Sequence, residues 1–363
     1  MRTDEGFRNR IYGKHHKTYT PLEDLPIDMI EDFPVGDSLH LIDLGVMKRC
    51  LLGWKDGNIG SYSTKWCAKD INIVSTFLIN CKMPSEIHRA VRGLDTLAHW
   101  KGTEYRTFLL YISIVILKKV LSVDVYQHFV MFFCAVTICS TEMFTHFLPL
   151  AESLLESYVE LYRDFYGEDY ITSNIHNLSH LTYEVKKFGV LSSFNAYPFE
   201  NRLFSIKKLL RNGNCPLPQI AKRLGEMLDV DRYQNTKTEK FPNLKNADIH
   251  QHSKIIQFES YSLNSSRFKD KWFLTLKNQV VSMTHALLKN NNIIIYGCPV
   301  VNTQDCFEYP IKSTYLNIYK SDGVLGSLCK YLAGDIKCKL AAVIDGNEIV
   351  FIPLVHTYII TKK

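Results

Sequence analysis

The sequence predicts an α+β protein whose N-terminal two thirds are mainly helical and whose C-terminal third is rich in β-strand. Between residues 39 and 232, apolar residues recur at spacings of three and four, the period of helices buried on one face. After about residue 235, short β-branched and aromatic runs alternate with Asn, Gly, Asp and Pro, which is typical of antiparallel strands and turns. We therefore predict two domains, residues 1–235 and 236–363.

The N-terminal elements follow from periodicity and capping residues. Residues 1–36 are polar and interrupted by three prolines, which predicts an irregular lead-in, and a helix is expected after Asp37. The other predicted helices start near capping or acidic residues, and several end at glycine. They cover residues 64–80, 85–97, 103–121, 123–140, 142–166, 173–188, 199–212 and 217–232.

The C-terminal part is predicted to contain six strands. They cover residues 254–258, 272–276, 293–296, 315–319, 340–344 and 349–352, and Asp345-Gly346 supplies a turn between the last two. No motif in residues 236–363 points to a particular chemistry.

Composition bounds the class of protein. The chain has 363 residues, 46% hydrophobic and 22% charged, which suits a globular protein with a real core. Its longest apolar runs are shorter than the ~20 residues that a membrane span needs, and the N-terminus shows no secretory signal. The ten cysteines include no Cys-x-x-Cys pair. We expect an intracellular protein, nuclear or cytoplasmic, with reduced cysteines and no membrane partner.

One segment concentrates positive charge. Residues 186–223 contain eight basic residues and a single acid, Glu200, giving a net charge of +7, whereas the whole chain carries +6. The basic residues are Lys186, Lys187, Arg202, Lys207, Lys208, Arg211, Lys222 and Arg223. Such a block is the electrostatic footprint of a nucleic-acid surface, although a solvated helix face gives the same pattern.

Two short patterns could hold a metal ion. Asp37 and His40 are three residues apart, and His176 and His180 are four apart, so each pair can face the same way on a helix. Together they offer one carboxylate and three imidazoles, a plausible zinc set. The alternative from spacing alone is that these histidines cap helices or bond to carbonyl groups in the core.

Glu200 is a candidate catalytic carboxylate. It follows Pro198 at the start of a predicted helix, so its position is well fixed. Two-metal phosphodiester chemistry needs several carboxylates that converge on ions roughly 3.5–4 Å apart, which Glu200 cannot provide alone. The alternative is an ordinary first-turn glutamate favoured by the helix dipole.

Five ordered motifs carry a family resemblance. They occupy residues 32–49, 84–89, 100–106, 174–181 and 198–201, and they include Asp37-Ser-Leu-His40 and Pro198-Phe-Glu200-Asn. In this order they resemble CACTA-like (En/Spm) DNA transposases and the transposase-domain proteins of animal genomes. The resemblance covers roughly residues 1–232 and is looser in the strand-rich tail.

The resemblance implies part of an RNase H-like DDE/D transposase core with an all-helical insertion near residues 60–172. It aligns Asp37 and His40 with the family's Asp-x-x-His motif and Glu200 with the last catalytic carboxylate. His176 and His180 match the paired histidines before that carboxylate. A structural Zn²⁺ site built from Asp37, His40, His176 and His180 is implied, and Mg²⁺ would be needed only for catalysis.

One departure from the family pattern decides between hypotheses. The family's first two metal-binding aspartates lie on strands before the Asp-x-x-His motif, with a cysteine pair nearby. The 36 residues before Asp37 show neither such strands nor a cysteine pair, and Asp24, Asp28 and Asp32 lie in a proline-interrupted segment without a strand pattern. We therefore expect the C-terminal part of a transposase that binds DNA phosphates but is catalytically incomplete. The alternatives are an active Mg²⁺-dependent transposase or nuclease using Asp37 and Glu200, and a protein-interaction module without DNA activity. A homo-oligomer is left open.

Overall fold

The computed structural model describes residues 2–60, 64–233 and 240–359, and it confirms the α+β prediction. Within these ranges, helices occupy the part up to Tyr233, and all strands lie between Asn243 and Pro353. The predicted domain boundary at residues 235 and 236 lies outside the described residues.

The helical part contains eleven α-helices in the described residues, several of them short. They are α1 (Asp4–Arg8), α2 (Lys48–Asp56), α3 (Ala68–Asn80), α4 (Gly102–Thr107), α5 (Ser113–Ile116), α6 (Val123–Cys139), α7 (Leu148–Tyr166), α8 (Ser173–Asn177), α9 (Leu181–Phe188), α10 (Tyr197–Lys208) and α11 (Pro216–Tyr233). Two π-helices, Ser38–Met47 and Phe108–Ile112, continue directly into α2 and α5. Short 3-10 turns connect several of the others.

The predicted helix over residues 85–97 is wrong. Residues 85 and 86 lie in a turn, and the first regular structure after them is the 3-10 helix Leu94–His99. The physical reason is tertiary: the backbone N–H and the hydroxyl of Ser85 both donate to Asp270. Ser85, the expected capping residue, therefore donates to a carboxylate distant in sequence and does not cap a helix.

Helices α6 and α7 form the centre of the helical part. Nearly every residue of α6 from Val125 onward is buried, and α7 packs along it with Tyr158, Tyr162 and Tyr166 on one face. The His128 ring stacks on Tyr158 with ring centroids 4.2 Å apart. Burial lowers the pKa of His128 to about 4, so this imidazole is a neutral core residue.

The strands form two antiparallel sheets. Their bounds are β1 (Asn243–Lys245), β2 (His252–Ser253), β3 (Ile255–Gln257), β4 (Ser262–Asn264), β5 (Trp272–Thr275), β6 (Val280–Lys289), β7 (Asn292–Pro299), β8 (Tyr319–Ser321), β9 (Cys329–Leu332), β10 (Ile336–Asp345) and β11 (Glu348–Pro353). The larger sheet has the order β8-β11-β10-β5-β6-β7-β9 with β2 beside β6, and the smaller one is β1-β3-β4.

Five of the six predicted strands coincide with observed ones, and the predicted strand over residues 315–319 is wrong. Residues 313–316 form a 3-10 helix, and strand β8 begins only at Tyr319. Strand β6, which shares with β10 the greatest length among the described strands, was not predicted from the sequence. Gly346 adopts φ 62° in the turn between β10 and β11, as the Asp-Gly pair predicts.

The larger sheet packs one face on the helices. Trp272 and Leu274 belong to the same buried cluster as the helical core, whereas Phe273 between them belongs to a second cluster with the smaller sheet. This alternation is the period of two along a strand. Phe133 of α6 meets Phe307 edge-on with centroids 6.1 Å apart. The helical and strand-rich parts therefore share one core.

A buried ion cluster also joins the two parts. Lys339 on β10 is fully buried, and its ammonium donates to Glu86, Asp270 and the Ser262 carbonyl at 2.7, 2.9 and 2.8 Å. All three of its protons are thereby used. Burial disfavours the charged form of Asp270, but the bonds from Lys339 and Ser85 outweigh this and lower its pKa.

Candidate functional site

Asp37 lies at the start of the π-helix Ser38–Met47 and caps it. One carboxylate oxygen accepts from the N–H groups of Leu39 and Ala196, at 3.1 and 2.6 Å. The other accepts from the His40 N–H at 3.0 Å and lies 2.5 Å from His40 Nδ1. The four lone-pair positions of this carboxylate are therefore all occupied within the protein.

The π-helix itself is an unusual support for a site. Its i to i+5 bonds make a wider turn than an α-helix, and such segments are rare and frequent at functional sites. A Cβ on Gly45 would lie 2.6 Å from the carbonyl oxygen of His40. Glycine is therefore required where this wide turn brings the backbone of residue 45 against that of residue 40.

His40 links Asp37 to Glu200. Its Nε2 lies 3.9 Å from a carboxylate oxygen of Glu200, and the two side chains are 58% and 56% exposed. Glu200 is in the first turn of α10, which begins at Tyr197 and has Pro198 among its first residues. The structure thus brings together three residues from the sequence analysis, although about 160 residues separate Glu200 from the other two.

Two hydrogen bonds hold the start of α10 on the π-helix. The Ala196 N–H donates to Asp37, and the Tyr197 hydroxyl donates to Asp43 at 2.8 Å. The guanidinium of Arg106 lies 5.8 Å from the centre of the Tyr197 ring. The position of Glu200 is therefore fixed by partners on two other helical segments.

Asp43 is a site residue that the sequence analysis missed. It is 1% exposed, and burial raises its pKa to about 7, against the lowering effects of the Arg106 charge and the Tyr197 hydrogen bond. Burial therefore favours the neutral form of this carboxyl group more than in an ordinary aspartate. An acid inside the apolar run from Leu41 to Met47 was the signal that could have identified it.

Glu184 is a second missed residue. Its carboxylate is buried and accepts from the N–H groups of Val35 and Gly36, at 2.8 and 2.6 Å. A Cβ on Gly36 would lie 2.5 Å from one of these oxygens. Glu184 therefore fixes the backbone immediately before Asp37 and so orients the capping carboxylate.

Helix α8, which carries His176, packs on the π-helix, but the two later histidines are not shown to join a metal site. His176 and His180 are exposed, with ring centroids 5.3 Å apart. Asn174, on the same helix as His176, lies against Gly45 of the π-helix. In the described ranges, no group of three or more His, Cys, Asp or Glu residues is placed to hold a metal ion.

The hydrogen bonding of Asp37 also does not suit a metal ligand in this arrangement, because a cation would have to displace one of its four donors. The zinc set of Asp37, His40, His176 and His180 therefore stays a prediction of the resemblance. The same holds for Mg²⁺ at Asp37 and Glu200.

The basic residues of the 186–223 segment divide into two groups. Lys186 pairs with Glu152 at 2.7 Å, and Lys187 pairs with Glu31 and Asp32 at 3.2 and 3.3 Å. The other six make no ion pair with any residue that the structure describes. These six, which we call the α10–α11 cations, are Arg202, Lys207, Lys208, Arg211, Lys222 and Arg223, the last of them half-exposed.

Apolar side chains are exposed beside these cations. Helix α10 has no buried residue, and Phe199, Leu203 and Phe204 are 70%, 60% and 58% exposed. The ammonium of Lys208 lies 4.3 Å from the centre of the Phe204 ring. The surface around α10 therefore combines positive charge with aromatic and aliphatic groups.

Comparison with known proteins gives a match in the strand-rich part. Residues 235–354 match a family model described as a domain of unknown function, DUF8592. This range contains none of Asp37, His40 and Glu200. No curated protein and no solved structure matches the chain.

Proposed function

We propose that this protein is a transposase-derived DNA-binding protein whose catalytic centre is incomplete. The observation that carries the proposal is the exposure of the α10–α11 cations without carboxylate partners among the residues that the structure describes. Cations paired with acids have little charge to offer a phosphate, so Lys186 and Lys187 contribute less than the other six. The resemblance to CACTA-like transposases supports DNA as the polyanion.

Binding of this kind acts through the phosphate backbone. Lysine and arginine side chains on exposed helix surfaces contact phosphate oxygens, which position a protein on DNA without reading its sequence. Each neutralised phosphate releases counterions, so the affinity falls as salt rises. With six cations engaged, we expect the affinity to fall by about 10³ between about 50 and 200 mM salt.

The carboxylates around α10 support the proposal of an incomplete catalytic centre. Asp37 is saturated with hydrogen bonds, and Asp43 is buried against Tyr197. Glu200 is the exposed carboxylate of this group. Metal-assisted strand cleavage needs more carboxylates than this, converging on the same ions.

A charge-reversal experiment tests the DNA-binding proposal. Fluorescence anisotropy of a labelled duplex is measured with the wild type and with a Lys207→Glu/Lys208→Glu/Arg211→Glu variant across a salt series. We expect the variant to lose most of its affinity and the remaining salt dependence to be shallower by about three phosphate contacts.

A matched control separates this surface from the overall charge. Lys277, Lys289 and Lys312 are exposed lysines outside the segment, and reversing all three produces the same change in net charge. The proposal predicts that this control binds DNA nearly as tightly as the wild type. Salt-independent binding, or an equal loss in the control variant, would show that α10 and α11 are not the DNA surface.

The incomplete catalytic centre is tested separately. Supercoiled plasmid is incubated with Mg²⁺ and either the wild type or a Glu200→Gln variant, and we expect no nicking by either protein. Wild-type nicking that the Glu200→Gln change abolishes would instead establish the active transposase or nuclease that uses Asp37 and Glu200.

A second candidate function is a protein-interaction module, and the exposed apolar groups of α10 favour it. Phe199, Leu203 and Phe204 form a patch of the kind that marks protein contacts. Sedimentation velocity at several concentrations would show whether a second copy covers this patch, with a Phe199→Ser/Leu203→Ser/Phe204→Ser variant as the comparison. Self-association that the triple variant removes would support this function.

A further inference from the structure

A half-open cleft of about 850 Å³ lies between helix α3 and the strand-rich part. One wall is the face of α3 that carries Ile73 and Phe77. The opposite wall is formed by residues 267–269 and by Ala342 and Ile344 of β10. Volumes of this size are typical of sites for small molecules.

The floor of the cleft is apolar. Ile116 and Ala342 are buried at its base, and Ile73 and Phe77 line the side. Ala342 and Ile344 are two residues apart on β10 and so point to the same face of the strand. The small side chain of Ala342 takes up little of this floor.

The lip of the cleft is held in place by aromatic packing. Phe268 is 42% exposed, and its ring meets the buried Trp272 edge-on with centroids 5.4 Å apart. The Lys271 ammonium lies over both rings. An exposed aromatic group fixed in this way is preorganised for contact with a bound molecule.

The rim of the cleft is positively charged. Lys82, Lys119, Arg267 and Lys269 are among its lining residues, and no lining residue in the described ranges is acidic. Lys119 is paired with Asp345, which follows the lining residue Ile344. Lys82, Arg267 and Lys269 have no ion pair with any residue in the part of the chain that the structure describes.

We propose that this cleft binds a small amphipathic carboxylate, with its alkyl or aryl body on the apolar floor and its carboxylate among the rim cations. The floor alone would accept a neutral apolar molecule, and the rim alone would attract any anion. A molecule that satisfies both needs an apolar body and one negative end. The cleft shares no residue with α10 or α11, so this inference does not depend on the proposed DNA binding.

Titration calorimetry with simple alkyl ions tests the proposal. Dodecanoate is titrated into the full-length protein below its micelle concentration, and hexanoate and dodecyltrimethylammonium are titrated in parallel. We expect dodecanoate to bind saturably at one site per chain and about tenfold or more tighter than either comparison ion. Hexanoate lacks most of the apolar body, and the ammonium ion has the wrong charge.

Two variants locate the binding site. Lys82→Ala/Arg267→Ala/Lys269→Ala removes the unpaired rim charges, and Ile344→Glu places a carboxylate at the cleft wall on a side chain that is 55% exposed. Both are expected to weaken dodecanoate binding about tenfold or more. The Lys277→Ala/Lys289→Ala/Lys312→Ala variant is the charge-matched control and should bind as the wild type does.

Three results would overturn the proposal. They are the absence of saturable dodecanoate binding, equal affinity for dodecyltrimethylammonium, and an equal loss of affinity in the control variant. Circular dichroism of each variant ensures that weakened binding is read only from folded protein. Failure of the wild type to bind DNA would leave the cleft result unchanged, so the two proposals fail separately.

Discussion

Replacing Lys339 by methionine should destabilise the protein strongly. The substitution keeps most of the length of the side chain but removes a fully buried charge that bonds Glu86, Asp270 and the Ser262 carbonyl. Asp270 is 1% exposed, and the side chain of Glu86 is 9% exposed. Both carboxylates would be left in the interior without their cation.

The magnitude follows from the burial of the cluster. Removing one partner of a buried ion pair typically costs about 3–5 kcal/mol, because the remaining charge is uncompensated. Asp270 keeps its two bonds from Ser85, which favours the lower end of that range for Lys339→Met. A Lys339→Met/Asp270→Asn variant should be less destabilised than the sum of the single changes, because one orphaned charge is gone.

The pH dependence supplies an independent check. The lowered pKa of Asp270 means that its ionised form stabilises the folded state above the ordinary carboxyl pKa of 3.8, and this stabilisation is lost as pH falls below it. The difference in free energy of unfolding between wild type and Lys339→Met should therefore shrink as the pH is lowered toward about 3.

Urea unfolding followed by tryptophan fluorescence gives the free energies. Lys277→Met, at an exposed position, is the control and should change stability by no more than about 0.5 kcal/mol. A cost below about 1 kcal/mol for Lys339→Met would refute the reasoning, because it would mean that the two carboxylates are readily hydrated or protonated in the variant.

Two further predictions concern the site around α10. Asp43→Asn should become more stable relative to the wild type as pH rises from about 4 to 8, by up to about 4 kcal/mol. The reason is that the pKa of Asp43 is raised in the folded state, so the wild type loses stability as pH rises through this range. Urea unfolding at several pH values measures the difference in stability, and a difference that does not change with pH would contradict the prediction. The zinc set predicts about one Zn²⁺ per chain by elemental analysis of the purified protein, lost in His176→Ala/His180→Ala. A metal-free wild type that unfolds at the same urea concentration with or without added zinc would exclude that set.

The periodicity of apolar residues was enough to predict the fold class, because it reflects which face of each single helix or strand is buried. It failed at residues 85–97, where Ser85 and Glu86 bond to Asp270 and Lys339 instead of capping a helix. Those partners lie more than 180 residues away, and no local pattern contains them. Strand β6 was missed although Asn278 and Asn290 mark turns at its two ends, because Val280 and Val281 are its only consecutive β-branched residues.

The candidate site shows the same division. Asp37, His40 and Glu200 stand out as polar residues in motifs, and the structure places His40 2.5 Å from Asp37 and 3.9 Å from Glu200. Asp43 and Glu184 act through burial and through bonds to Tyr197 and to the backbone before Asp37. Their roles depend on which segments pack together, which spacing along the chain does not encode.

Because the core spans both parts of the chain, the segment that matches the family model is not a complete folding unit. The family model covers residues 235–354, yet Trp272 and Phe351 within that range pack in one cluster with helices that lie outside it. Expressed alone, that segment would expose to water the apolar face of the larger sheet that the helices cover, and Lys339 would lose its partner Glu86. We expect such a fragment to aggregate. Any relative that carries this segment therefore needs another structural element that packs on the same face of the sheet.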